Sequence, residues 1–223
     1  MTRSTRIPRM IALALGGVSL AGAIALTGSA QSSMAPAAKA AMTAGDLRVA
    51  LNMLLSQHVY LASDATGAAL GGRDAEFKAA AAALDANSVD LSNAIGLVYG
   101  ADAGTAFLGL WRRHIGFVVD YTVATAKKDA AGQSKAVNSL LGYTTDFAAF
   151  LSGANPYLPK DVVAGLVKTH ILTLKDVIDA QAAGDAAKAF TAQRSAAGHM
   201  QMIADPLAGA IAKQFPMKFP ATM

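Results

Sequence analysis

The chain has 223 residues and no cysteine, which excludes disulfides, thiolate nucleophiles and Cys-ligated zinc or iron–sulfur sites together. Its 19 Lys and Arg against 15 Asp and Glu give a net charge of +4, most of it supplied by Arg3, Arg6 and Arg9. The rest is close to neutral, without the excess of basic residues that a nucleic-acid binder needs.

Those three arginines open the chain as a positive n-region. An apolar run follows from Met10 to about Thr27, then small residues that offer cleavage points after Ala30, Ala37 or Ala40. This is the order of a secretory signal over residues 1–30. The run is long for a signal and just long enough to span a bilayer, so a retained N-terminal anchor is the alternative, and membrane contact is expected only in that case. A lipobox anchor fails for want of cysteine, and no Arg-Arg pair supports the twin-arginine route. Residues 31–44 are small, Ala-rich and without a packing pattern, and read as a linker.

Beyond the linker, abundant Ala and short β-branched runs favour helix over strand. Gly and Pro divide the chain into six segments of helical length. They run from Asp46 to Leu70, Asp74 to Val98, Asp102 to Lys128, Ala131 to Leu151, Asp161 to Ala182, and Asp185 to about Gln214. The last is expected to be interrupted near Pro206. Five of the six start near an Asp, where a carboxylate caps free N–H groups and opposes the helix dipole. The pattern predicts an all-α, six-helix up-and-down bundle over residues 45–214. The apolar, Pro-broken tail, 215–223, either lies along the bundle or contacts a partner.

His58, His114 and His170 are spaced 56 residues apart. Each has a Leu four residues before it (Leu54, Leu110, Leu166) and an Asp six residues after it (Asp64, Asp120, Asp176). A fixed period with matching neighbours reads as three tandem helical hairpins. Positions −4, 0 and +4 share a helix face, so each histidine is expected in an apolar, core-facing stripe, with the Asp turned about 120° away. Counting back from each hairpin turn puts Asn87, Tyr143 and His199 level with these histidines, with Asp90, Asp146 and Met202 three residues further on.

A polar layer across an apolar core must be satisfied internally. A transition metal, copper or zinc, would be held by His58, His114, His170 and His199, with Asn87, Tyr143, Asp90, Asp146 and Met202 around them. Met200 and Met202 beside His199, with Met217, add thioethers that suit Cu(I), although core filling explains them as well. Haem between two facing histidines is the less favoured occupant, and without Cys-x-x-Cys-His it would not be covalently attached. In the third reading the histidines are structural, bonded to Tyr143, Asn87, Asp side chains or water, and the domain is a structural or interaction module of the cell envelope. Imidazole nitrogens more than about 6 Å apart could not share one ion at Zn–N distances near 2 Å.

Glu76 is the single glutamate, so a carboxylate-bridged di-iron bundle is excluded. No nucleophile elbow, phosphate loop or His-Glu-x-x-His occurs, and no enzyme is expected. Gly100–Gly104 reads as a helix connection, and Arg112-Arg113 and Lys127-Lys128 as solvated helix positions. Trp111 and Tyr60 are expected to pack beside the histidine face, and Phe147, Phe150 and Tyr157 near the fourth helix.

Leu-Trp-Arg-Arg-His-Ile (Leu110–Ile115), Ala-Gly-His-Met-Gln-Met (Ala197–Met202) and Asn93-Ala-Ile ahead of Tyr99-Gly100 resemble a family of uncharacterised secreted helical proteins of Gram-positive bacteria. The resemblance spans most of the chain beyond the signal. It implies export and an all-α fold, and supplies no functional residues.

Overall fold

A computed structural model describes residues 42–221. The expected signal segment and most of the linker lie outside them. Six helices follow one another: α1 (Ala44–Leu70), α2 (Asp74–Tyr99), α3 (Ala101–Ala126), α4 (Ala130–Ala154), α5 (Lys160–Ala182) and α6 (Ala186–Gln214). Consecutive helices pack side by side, and α6 closes on α1. The odd helices α1, α3 and α5 also touch one another, so each even helix occupies the groove between two odd ones. The odd helices therefore line the axis, and whatever they turn inward meets at the centre.

The expected boundaries hold to within a few residues, and the differences have local causes. The presumed linker ends earlier, because Thr43 caps α1. Its hydroxyl accepts from Asp46 N–H at 3.1 Å, and the Asp46 carboxylate accepts from Thr43 N–H at 2.9 Å, forming a capping box. Asp185 caps α6, and Asp129, which the segment pattern passed over, caps α4 by accepting from Gly132 N–H at 3.0 Å.

The three hairpin turns share one geometry. Gly72, Lys128 and Gly184 each adopt positive φ, at 65°, 56° and 71°. After each, an N–H reaches back five residues: Arg73 to Ala68, Asp129 to Ala124 and Asp185 to Ala180. This is the Schellman closure, which satisfies carbonyls at a helix end and calls for a left-handed residue. Lys128 is thus a turn residue rather than the helix position expected of it, and α3 stops at Ala126.

Pro206 does not interrupt α6, which runs unbroken through it. Proline removes one N–H and frees the carbonyl of Met202. Both residues are exposed, so the loss falls on the solvent side of the helix and not in the core. The tail lies on the bundle as far as it is described. Phe219 is buried, Phe215 packs edge-on against Tyr99 at 5.6 Å, and the Pro220 carbonyl accepts from Ala44 N–H at the start of α1. Close approach decides one further position. A Cβ at Gly104 would lie 2.8 Å from the Ser92 carbonyl and 3.1 Å from Gly96 Cα, so α2 and α3 cross at a glycine contact. No helix among the described residues is long and apolar enough to cross a membrane.

Candidate metal centre

His58, His114 and His170 come from the middles of α1, α3 and α5 and meet at the axis. Each is almost fully buried, at 1%, 2% and 4% exposure. The His58 ring centroid lies 5.3 Å from that of His114 and 5.6 Å from that of His170. One nitrogen from each ring can be chosen so that all three lie within 4.8 Å of one another. Both nitrogens of His58 and the Nδ1 atoms of His114 and His170 are buried without a hydrogen-bond partner. A buried polar atom left unpaired costs about 1–3 kcal/mol, so the group is a concentrated polar deficit inside an apolar bundle.

Burial is the main influence on these rings. It pushes His114 down to about 3 and His170 to about 4, and holds His58 well below the usual imidazole range. Neighbouring imidazoles add to the effect: His114 and His170 at His58, His170 at His114, and His199 at His170. No carboxylate contributes at any of the three. The rings are therefore neutral at physiological pH, the state in which imidazole is a ligand.

The buried stripe that carries the histidines matches the expected one at position +4, where Ala62 and Leu174 are buried, and differs from it before the histidine. It runs through positions −7, −3 and 0: Leu51, Leu55 and His58 on α1, Phe107, Trp111 and His114 on α3, Val163, Val167 and His170 on α5. Leu54, Leu110 and Leu166 are only half-buried. Asp64, Asp120 and Asp176 face solvent, as their angular offset requires.

His199 does not join the triad. It is half-buried on α6, and its Nε2 bonds to the Leu166 carbonyl at 2.9 Å. Asn87 makes the matching contact, with Nδ2 donating to the Leu54 carbonyl at 3.0 Å, so both side chains tie an even helix to the preceding odd one. Tyr143, at the corresponding place on α4, turns inward instead. Its ring stacks on His114 at 4.9 Å, and its buried hydroxyl has no partner. Asp90, Asp146 and Met202 do not reach the layer. Asp90 and Asp146 immediately precede the buried Leu91 and Phe147, and one residue is a 100° turn outward. Asp146 pairs with Arg113 at 2.5 Å on the surface, and Met202 is 59% exposed. Tyr60 is likewise exposed, as is Tyr157, whose ring lies under the Lys213 ammonium.

Two neighbours matter more than the sequence suggested. The Trp111 ring lies 4.8 Å from His58 and 4.6 Å from His114, with its Nε1–H unpaired. Its position three residues before His114 was the available signal. Met200 is buried and lines a small void of about 30 Å3 together with His114 and His170. On the opposite side of the triad, toward the hairpin turns, a cavity of about 240 Å3 reaches His58 and His114. Nothing in the sequence pattern marked it, because it arises from small residues on α1 meeting α2 and α3. No known protein family, curated protein or solved structure matches the chain.

Proposed function

We propose that this chain is an exported, non-enzymatic helical-bundle protein that binds one transition-metal ion, copper or zinc, through His58, His114 and His170. The observation that carries the reading is the convergence of three buried imidazoles, one nitrogen of each within 4.8 Å of the others, in a group where four ring nitrogens have no hydrogen-bond partner. Three atoms within 4.8 Å of one another leave a point no more than about 2.8 Å from any of them, against about 2.0–2.1 Å for a Zn–N bond. Closing that gap takes an inward shift of about 0.7 Å per ring, which small side-chain rotations supply. Three protein ligands leave a coordination position open for a ligand from outside the chain. Export rests on the charged, apolar and small-residue order of the first thirty residues.

Haem fits poorly. The triad and Trp111 pack with ring centroids 4.6–5.6 Å apart, leaving no slot for a macrocycle between facing histidines. The second reading, a structural or interaction module of the envelope, draws on the same packing, since His58 and His114 sit against Trp111 and Tyr143 as aromatic rings do. It leaves the unpaired nitrogens unexplained. Elemental analysis of protein purified without a histidine tag, followed by copper and zinc titration, separates the two. One equivalent of metal bound per chain, lost in His170→Phe and kept in His199→Gln, is the expected result. Sub-stoichiometric metal with no high-affinity uptake would leave the structural reading.

A further inference from the structure

The triad supplies no negative charge. Three neutral imidazoles are the whole group, and among the described residues no carboxylate belongs to it. A divalent ion held there would keep its full +2 charge among apolar side chains. The Born cost of burying an ion scales with the square of its charge, so a monovalent ion incurs about a quarter of it. Copper is the transition metal that offers a stable monovalent state under reducing conditions. The donors agree: imidazoles suit copper, and Met200, which lines the small void beside His114 and His170, is a soft, uncharged neighbour rather than a fourth ligand.

The cavity on the other side narrows the ligand. Within about one helical turn of the histidines its walls are Ala62, Ile115, Val118 and Leu174. Asp74, an exposed residue of α2, is the one charged residue on its lining. Such walls offer nothing to neutralise an anion or a zwitterion, and at about 240 Å3 the space is below the usual range for drug-sized molecules.

Resting on the metal-binding reading above, we propose that the triad holds copper as Cu(I) and that the cavity leads a small uncharged ligand, of the size of carbon monoxide, to the open coordination position. The test uses the chain as it exists, under anaerobic conditions. Cu(I) is titrated in competition with a chromogenic chelator, Zn(II) and Cu(II) are titrated in parallel, and the Cu(I)-loaded protein is exposed to carbon monoxide and read by infrared spectroscopy. One Cu(I) per chain is expected, at least a hundred-fold tighter than Zn(II), with a single C–O stretching band. Val119→Trp at the mouth, where Val119 is 41% exposed and tolerates bulk, should slow carbon monoxide binding at least ten-fold without loss of Cu(I). Val123→Phe, on the same rim, is the second variant should the first fail to fold. Cu(I) bound with no C–O band, or Zn(II) or Cu(II) bound more tightly than Cu(I), overturns this inference and leaves metal binding standing. If none of the three ions binds, both readings fall.

Discussion

The three buried histidines oppose two demands on the same residues. Metal binding needs imidazole nitrogens that are free, neutral and close together. Stability of the metal-free fold is reduced by that same arrangement, because four buried nitrogens lack partners. His58, with neither nitrogen paired, bears the largest share. Replacing it by a leucine of similar size removes two unpaired atoms and keeps the ring's place filled, a change that can be neutral or stabilising. His58→Leu is therefore expected to raise the stability of the metal-free protein by about 1–2 kcal/mol in urea unfolding, and to abolish stoichiometric metal uptake. A clear loss of stability on this substitution would mean that the ring has a structural role the unpaired nitrogens do not reveal. At this scale the sequence was partly legible. The 56-residue spacing located the three triad members, because depth along a helix follows from counting residues. It could not assign direction around the helix. Positions −4 and −3 both lie near a histidine's face, and which one is buried depends on the neighbours that surround α1, α3 and α5. For the same reason the expectation that His199 shares the ion with His170 fails, although the two lie level. From the outer groove, its side chain reaches only the backbone of α5.

Among the elements, the turns were easier to read than the helix interiors. Gly71-Gly72 and Gly184 mark their turns openly, whereas Lys128 conceals a left-handed residue in what looks like a continuing helix. A side chain with a Cβ pays roughly 1–2 kcal/mol there. Lys128→Gly is expected to stabilise the bundle by about 1 kcal/mol, read as a higher urea midpoint with unchanged slope, since the gain is reduced by the greater freedom glycine gives the unfolded chain. Pro206 misled in the opposite sense. A proline inside a helix usually ends or kinks it, but α6 is held on both sides of Pro206 by packing at Ala204, Leu207 and Ala208, and by the contact of Arg48 and Asn52 with Asp205. Pro206→Ala restores the donor that Met202 lacks and removes no buried group. It is expected to add about 1–3 kcal/mol. An unchanged midpoint would show that α6 has already relaxed around the ring.

For the molecule as a whole, the histidines link folding to both acid and metal. In the metal-free fold the triad stays neutral down to about 3 at His114 and about 4 at His170, with His58 also well below its usual range. In the unfolded chain each imidazole takes up a proton near 6.5. A depressed folded value means that the unfolded state binds more protons, so stability is intact above 6.5 and is lost as pH falls from there toward the folded values. Each neutral ring removes about 1.4 kcal/mol per pH unit across that window, about 4 kcal/mol per unit for three, against a total that rarely exceeds 15 kcal/mol. The metal-free protein is therefore expected to unfold cooperatively between about pH 6 and pH 4, and His58→Leu should lower the slope of stability against pH by about a third. Metal acts in the other direction, because it binds the folded triad and competes with protons for the same nitrogens. At a thousand times its dissociation constant it adds about 4 kcal/mol, and its affinity should weaken as acid begins to protonate the rings. Urea unfolding at a series of pH values, with and without metal, measures both effects together. A slope equal in wild type and His58→Leu would contradict burial of the neutral ring. A metal effect that did not decline in acid would place the ion elsewhere than on the histidines.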